Sequence, residues 1–444
     1  MKKKYFGTDG IRGKVGSSII TPEFILKLGN AAGRVLVNHN QRQEPTIIIG
    51  KDTRISGYML EAALQAGLTS AGIRVLLTGP LPTPGISYLT KALRLNAGVM
   101  LSASHNVYSD NGIKFFTEDG LKLSDEIELE IEKALGEPMS YVSPNQFGRA
   151  KRIDGAAERY IEFCKSTFPS NFDLYTLKIV VDTANGAGYH VAPKVFHELG
   201  AQVISIGASP NGFNINDKVG ATHIQTLQAA VLENKADYGI AIDGDGDRLI
   251  MVDKDGFIYD GDSLVYIIAK SRQYTNTLKG GVVGTVMTNM AMEQALNNMS
   301  IEFERSQVGD RYVLEKLLER QWEVGGEASG HILCLDKHIT GDGIISALQV
   351  FSSLKILNQN LNSIRDDWIP YPQIMQNIRV DPSSNWQEKS KKAIEQVEKQ
   401  LEGGMGRVVV RASGTEPVVR VMVEAKKFDQ AKKLVQSIAH AMTA

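Results

Sequence analysis

Short apolar runs alternate with helix-patterned stretches between Thr46 and Val324, and in three places an apolar run breaks abruptly into a polar loop. That alternation confines the chain to sheets covered by helices on both faces, because strands linked through helices run parallel and bury both sides. In the first round, residues 46–50 read as a strand, 58–71 as a helix with Leu60, Leu64 and Leu68 on one face, and 74–77 as the next strand. A helix after Pro84 leads to the apolar run 97–101, which ends in Ser102, Ala103, Ser104, His105 and Asn106. The second round places strands at 177–181, 202–206 and 238–242, with helices at 191–199 and 224–232, and ends on Asp243 to Arg248. The third has strands at 281–286 and 322–324, helices at 291–298 and 312–320, and ends on Gly325 to His331. Polar groups released at the carboxyl ends of such strands stand where an open α/β sheet holds ligands.

Punctuation divides the chain into four. The Pro-, Ser- and Asn-containing stretch 138–148 follows a charged helix at 124–135 and reads as the approach to a boundary, after which a helix at 156–167 enters the second unit. The expected domains are 1–153, 154–257, 258–368 and 369–444. The last differs in pattern: a charged helix at 386–401, strands at 407–410 and 418–425, and a closing helix at 430–442 with Ala431, Leu434, Val435, Ile438, Ala439 and Met442 on one face. It reads as a small α+β domain whose two strands flank the loop Arg411 to Pro417.

Composition narrows the partners. With 49 basic and 50 acidic side chains the formal charge is -1, so no long-range field holds nucleic acid or an anionic membrane, and small molecules are expected instead. No apolar run approaches the roughly 20 residues of a bilayer span. Lys2, Lys3 and Lys4 run into Tyr5, Phe6 and Gly7 rather than into an apolar signal core, so the expected location is cytoplasmic. Cys164 and Cys334 stand far apart with no CxxC neighbour, which argues against a disulfide framework or a structural zinc.

The loops carry the chemistry. Asp243, Asp245 and Asp247, separated by glycines, can turn three hard oxygen ligands toward one point, a set suited to magnesium. An EF-hand is excluded, because Arg248 stands where glycine is needed and Lys254 occupies the twelfth position. Magnesium keeps positions open for phosphate oxygens, which makes a phosphoryl group the natural further ligand. Ser104 is the candidate nucleophile, with His105 beside it, and Lys114 follows the turn at Asn111 and Gly112 on an extended piece that can return it toward the serine. Phe6 to Gly13 packs three glycines around Arg12, whose guanidinium can grip a phosphate. Arg411, Ser413, Gly414 and Thr415 resemble a phosphate cradle, to which Arg420 adds a second fork, although no GxxxxGK[ST] loop occurs. Glu327, Ser329 and His331 alternate along what reads as an extended segment, so their side chains are expected to share a direction. Carboxylate and hydroxyl suit sugar hydroxyls, and an imidazole of pKa about 6.5 exchanges protons near neutrality. A serine attacking phosphorus needs charge neutralised and a base nearby; a metal meets the first need, and Lys114, His105 or His331 the second.

Ser102 to Asn106, Asp243 to Arg248, Gly326 to His331 and Arg411 to Pro417, in this order and at these spacings, resemble the α-D-phosphohexomutase superfamily. Phe6 to Gly13 is similar to the opening of its glucosamine-phosphate branch. The likeness spans essentially the whole chain. It implies three similar α/β domains with mixed sheets and a smaller C-terminal α+β domain around a central cleft. It implies that Ser104 is carried as a phosphoserine and that one Mg2+ per chain is bound by Asp243, Asp245, Asp247 and the Ser104 oxygen. The implied reaction interconverts glucosamine 6-phosphate and glucosamine 1-phosphate through glucosamine 1,6-bisphosphate, which also serves as primer, and feeds UDP-N-acetylglucosamine synthesis. By the same resemblance Glu327 and Ser329 hold sugar hydroxyls, and Arg411, Ser413, Gly414, Thr415 and Arg420 hold the non-reacting phosphate. Arg248 joins them as a substrate-binding position. Arg12, Lys114 and His331 match positions of phosphate contact or proton transfer, with His105 a further catalytic candidate. Hexosamine phosphates are thus the expected partners, without nucleic acid or membrane, and a homodimer is one assembly left open. Two departures stand out: Val107 where the family usually has Pro, and Ala328 where glucosamine enzymes often carry a polar residue. Phosphomannomutase or phosphoglucomutase activity, and a non-catalytic sugar-phosphate sensor, are the alternative readings.

Overall fold

The computed structural model describes residues 3–17, 19–39, 44–380, 385–412 and 418–443. Three of its sheets repeat one plan: a first strand lies between a second and a third, both parallel to it, and the third turns back into an antiparallel return strand. Thr46–Lys51 pairs in parallel with Arg74–Pro80 and Ala97–Leu101, and Ala97–Leu101 pairs antiparallel with Asp110–Thr117. Lys178–Asp182 pairs in the same way with Gln202–Ile206 and Tyr238–Ile242, and Leu249–Asp253 returns. Val282–Thr285 pairs with Phe303–Ser306 and Val324–Gly326, and Ile332–Cys334 returns. The sheets are therefore mixed, as the family resemblance implies.

The plan decides where chemistry can occur. The crossover from first to second strand runs to one side and that from second to third runs back past the first strand to the other, so a crevice opens at the carboxyl ends of the parallel strands. The loop between third and return strand empties into that crevice in every unit. Those three loops contain Ser104, Asp243 to Asp247, and Glu327 to His331. Third strands read as unbroken apolar runs because both faces are covered; all five residues of Ala97–Leu101 are buried.

One apolar core runs through all three units. It joins Ile48, Ile86 and Met100 of the first, Val181, Phe196 and Ile242 of the second, and Leu264, Ile344 and Phe351 of the third. Burial of that shared core sets how the three loops face one another. The C-terminal unit has its own core, including Val421, Val423, Leu434 and Ile438, under the antiparallel sheet Gln373–Arg379, Val418–Ala425, Gly406–Ala412. It meets the third unit through Arg407, which donates to the carbonyls of Val286 at 2.7 Å and Thr288 at 2.6 Å.

Several elements lie outside the sequence expectations, among them the return strands Leu249–Asp253 and Ile332–Cys334 and the edge strand Phe303–Ser306. Helices Pro22–His39, Gly261–Tyr274 and Gly343–Leu357 were not read from the pattern, nor was the strand Gln373–Arg379. Residues 343–354 are buried on every side, Ser346, Gln349, Ser352 and Ser353 included, so that helix has no charged solvent face to mark its period. The stretch 138–148 stays with the first unit, where Val142 N–H donates to Ser70 and Gly148 N–H to Thr69, before Ala150–Arg152 joins the sheet edge. Among the described residues no helix is long and apolar enough to cross a membrane.

Candidate active site

Ser104 meets the acidic loop directly: its Oγ donates to Asp243 Oδ2 at 2.6 Å. The serine backbone lies in the left-handed region, at φ 50°, and its N–H donates to Ser102 Oγ at 2.9 Å. Asp243, Asp245 and Asp247 are all buried, and each offers a carboxylate oxygen within 4.8 Å of the others. The helix Thr83–Ala92 anchors the middle one, with Thr83 Oγ1 donating to Asp245 Oδ2 at 2.7 Å and Thr83 N–H to the Asp245 carbonyl at 2.9 Å.

These residues fit a hard divalent cation. Asp245 Oδ1 and Asp247 Oδ1 are buried without a hydrogen-bond partner, which leaves donor oxygens free at the point where the three side chains meet. Burial, reinforced by Asp247 and Asp245, pushes the Asp243 carboxyl well above the usual carboxylate range. Three adjacent carboxylates resist ionising together, and a cation between them removes that penalty.

Around the triad runs a chain of alternating charge. Lys114 lies opposite Met100 on the return strand, and its Nζ stands 2.8 Å from Asp245, 3.1 Å from Asp9 and 3.7 Å from Asp247. Asp9 also pairs with Arg12 and, at 2.7 Å, with Lys122. Lys122 reaches Asp310 of the third unit at 2.5 Å, and Asp310 lies 3.6 Å from His331 Nε2. Burial alone would lower the Lys114 pKa, yet Asp245, Asp9 and Asp247 outweigh it and raise the pKa. Lys114 is therefore protonated at neutral pH, a cationic hydrogen-bond donor rather than a resting base. His105 shows the opposite balance: burial, then Arg248 and Arg12, push its pKa down to about 4. Its neutral Nδ1 stands 3.4 Å from Ser104 Oγ. Arg248 is partly buried; burial opposes its charge, but Asp243 and Asp247 prevail and raise its pKa.

The third loop corrects an expectation. Glu327 to His331 is not an extended segment: Gly330 N–H donates to the Glu327 carbonyl and Glu327 N–H to the His331 carbonyl, closing a tight turn that Gly330 completes at φ 94°. Glu327 consequently turns its Oε1 to the Gly309 N–H at 2.9 Å, Ser329 is exposed, and His331 bridges to Arg248 with its Nδ1 3.9 Å from Asp247. The three side chains do not share one direction.

Ser413, Gly414 and Thr415 lie outside the described residues. Arg411 and Arg420 face each other across the adjacent strands, and no described carboxylate pairs with either. Burial and the Arg420 charge lower the Arg411 pKa, so an anion between the two guanidiniums relieves their repulsion.

Asp9, Thr83, Lys122 and Asp310 were missed in the sequence. Asp9 sits in the glycine-rich opening already singled out; nothing local marks the other three. A cavity of about 510 Å³ between the first and third units has Lys122, Asp310 and His331 among its lining but not Ser104 or the triad. With Leu36, Phe116, Leu123 and Leu314 on its other walls, it flanks the charged cluster rather than containing it.

Models of phosphoglucomutase/phosphomannomutase alpha/beta/alpha domains I, II and III match residues 3–141, 158–256 and 260–371, and that of the C-terminal domain matches 375–441. The chain is 68% identical over 443 residues to a phosphoglucosamine mutase of Neisseria subflava, covering 100% of this chain and 99% of that one. It is 57% identical over 448 residues to a phosphoglucosamine mutase of Cupriavidus metallidurans, covering 100% of both. Its fold is similar to the crystal structure of a phosphoglucomutase/phosphomannomutase family protein from Burkholderia thailandensis, with TM-score 0.82, 21% identity, and coverage of 99% of this chain and 96% of that one.

Proposed function

The chain belongs to the phosphoglucomutase/phosphomannomutase family, and from that premise we propose that it catalyses the phosphoglucosamine mutase reaction, interconverting glucosamine 6-phosphate and glucosamine 1-phosphate. The observation that carries this reading is the Ser104 hydroxyl, 2.6 Å from Asp243 inside a buried three-carboxylate cluster. Relatives at 57–68% identity bear the phosphoglucosamine mutase name, which favours the amino sugar over mannose and glucose phosphates. A complete nucleophile and ligand set argues against a mere sensor.

A divalent cation, read as Mg2+, would be held by Asp243, Asp245, Asp247 and the Ser104 oxygen, and would supply neutralisation of phosphoryl charge. Ser104 starts the cycle as a phosphoserine. The sugar hydroxyl attacks phosphorus, the phosphorus–Oγ bond breaks with its electron pair left on Ser104 Oγ, and the hydroxyl proton passes by way of a nearby base to that oxygen; neutral His105, its Nδ1 3.4 Å from Oγ, is better poised for this relay than protonated Lys114. Lys114, Arg12 and Arg248 hold phosphoryl oxygens by charge and hydrogen bonds. The resulting glucosamine 1,6-bisphosphate turns over in the cleft, and Ser104 takes back the other phosphoryl group. Glu327 and Ser329 contact sugar hydroxyls, while Arg411 and Arg420, with Ser413, Gly414 and Thr415, hold the phosphate that is not reacting. His331 completes the charge path to Asp310.

A turnover panel tests the proposal: glucosamine, glucose and mannose 6-phosphates, each with Mg2+ and with or without glucosamine 1,6-bisphosphate. Highest kcat/KM on glucosamine 6-phosphate, with stimulation by the bisphosphate, is expected. Turnover of none, or a preference for mannose or glucose phosphate, contradicts it.

A further inference from the structure

Behind Ser104 two donors from different units grip the same pair of carbonyls. Asn216 Nδ2 donates to the Ser104 carbonyl at 2.9 Å and to the Asn106 carbonyl at 3.0 Å. Arg54 Nη2 reaches them at 3.2 and 2.6 Å. Arg54 belongs to the unit that carries the serine: it is fully buried and ion-paired with Asp52, whose N–H donates to Leu101 at the end of the third strand. Asn216 belongs to the second unit, which carries the carboxylates. It is buried, lies at φ 57°, and is fixed by its own N–H to the Ala184 carbonyl at 2.8 Å.

We propose that Asn216 is a positioning residue for phosphoryl transfer, tying the Ser104 loop to the unit that holds Asp243, Asp245 and Asp247 and so setting the nucleophile against its carboxylates. This rests on the phosphoserine reading above. The chemistry of the contact allows only one orientation of the side chain, because two carbonyl oxygens within 3.0 Å demand a donor, not an acceptor. In that orientation Asn216 Oδ1 is left buried and unpartnered. Such orphans are rare in native chains, and here the donors are retained despite one. What they hold is a non-glycine residue in the left-handed region, which persists only where its surroundings enforce it. A relaxed Ser104 backbone would carry the hydroxyl away from Asp243.

The test compares Asn216→Ala and Asn216→Asp with the wild type. Asn216→Asp keeps the volume and removes the donors. Both variants are expected to lose roughly 10- to 100-fold in kcat with KM within about twofold, since positioning is lost and substrate contacts are not. The rate at which Ser104 is phosphorylated from labelled glucosamine 1,6-bisphosphate falls by the same factor. An Asn216→Asp enzyme with kcat within twofold of wild type, or a loss expressed in KM, overturns the proposal alone. A wild-type chain with no turnover and no phosphate on Ser104 overturns the phosphoserine reading and this proposal with it. Should both variants fail to fold, the crystal structure of the phosphorylated wild type decides: Asn216 Nδ2 within about 3.2 Å of both carbonyls is expected, and a separation above about 4 Å from either refutes it.

Discussion

Gly244 sits where the acidic loop passes behind the serine, and replacing it with alanine probes that packing. A Cβ built there meets the Ser104 carbonyl oxygen at 2.6 Å, Asn216 Nδ2 at 2.7 Å and Ile215 Cδ1 at 2.9 Å. Reaching an ordinary contact of 3.4 Å requires the Ser104 carbonyl to retreat by about 0.8 Å. That carbonyl is main chain and is held by Asn216 and Arg54, so the displacement passes to the Ser104 side chain. Misplacement of a reacting group by about 1 Å costs on the order of 10²-fold in rate, so a fall in kcat of about 30- to 100-fold, about 2–3 kcal/mol in the barrier, is expected. Crowding should also cost about 1–3 kcal/mol of stability. A coupled assay on glucosamine 6-phosphate gives kcat and KM, and differential scanning fluorimetry gives Tm. Gly136→Ala, at a helix end where a Cβ would meet only the carbonyl oxygens of Lys133 at 3.3 Å and Glu132 at 3.9 Å, serves as control. A Gly244→Ala enzyme with wild-type kcat and Tm refutes the close packing of the two loops.

Asp245→Asn removes the nearest anionic partner of Lys114 and the charge of one of the three carboxylates that fit a cation, so kcat should fall by about 10²–10³-fold, and calorimetric Mg2+ binding should weaken with it. Lys122→Met breaks pairs with Asp9 and Asp310 that are only partly shielded from solvent. About 2–3 kcal/mol of destabilisation is expected, and adding Asp310→Asn should restore part of the loss in a double-mutant cycle. Asp342, which caps the helix Gly343–Leu357, has its pKa raised to about 6 by burial, against hydrogen bonds from Ile345, Tyr160 and Ile344. Its folded pKa exceeds the unfolded value, so its contribution is full below about pH 4 and declines by up to about 3 kcal/mol as pH rises through 6. Asn at this position stays neutral, so the Tm of Asp342→Asn relative to wild type should climb between pH 4 and 7; a constant difference contradicts the burial argument.

The sequence revealed features whose cause is local. The run Ala97–Leu101 is buried on both faces and therefore unbroken, and Asp243, Asp245 and Asp247 lie within five residues, so strand and ligand set were legible without tertiary information. Lys122 and Asp310 were not, because 188 positions separate them and only the shared core brings them together. The helix Gly343–Leu357 hid its period by being buried on every side over residues 343–354, without a charged face there. The turn at Glu327 to His331 had a signal, Gly330, that the apparent alternation of polar residues outweighed. Asp52 and Arg54 follow the strand Thr46–Lys51 as Ser102 and Ser104 follow theirs; the same break into polar residues marked both, and only one was taken as functional.

The proposed reaction depends on Ser104 lending and reclaiming a phosphoryl group. The direct measurement is to incubate the purified chain with Mg2+ and 32P-labelled glucosamine 1,6-bisphosphate, then map the label by peptide. About one label per chain, confined to the Ser104 peptide and chased off by unlabelled glucosamine 6-phosphate, is predicted. Label on another residue, or a Ser104 label that the sugar phosphate does not remove, contradicts it.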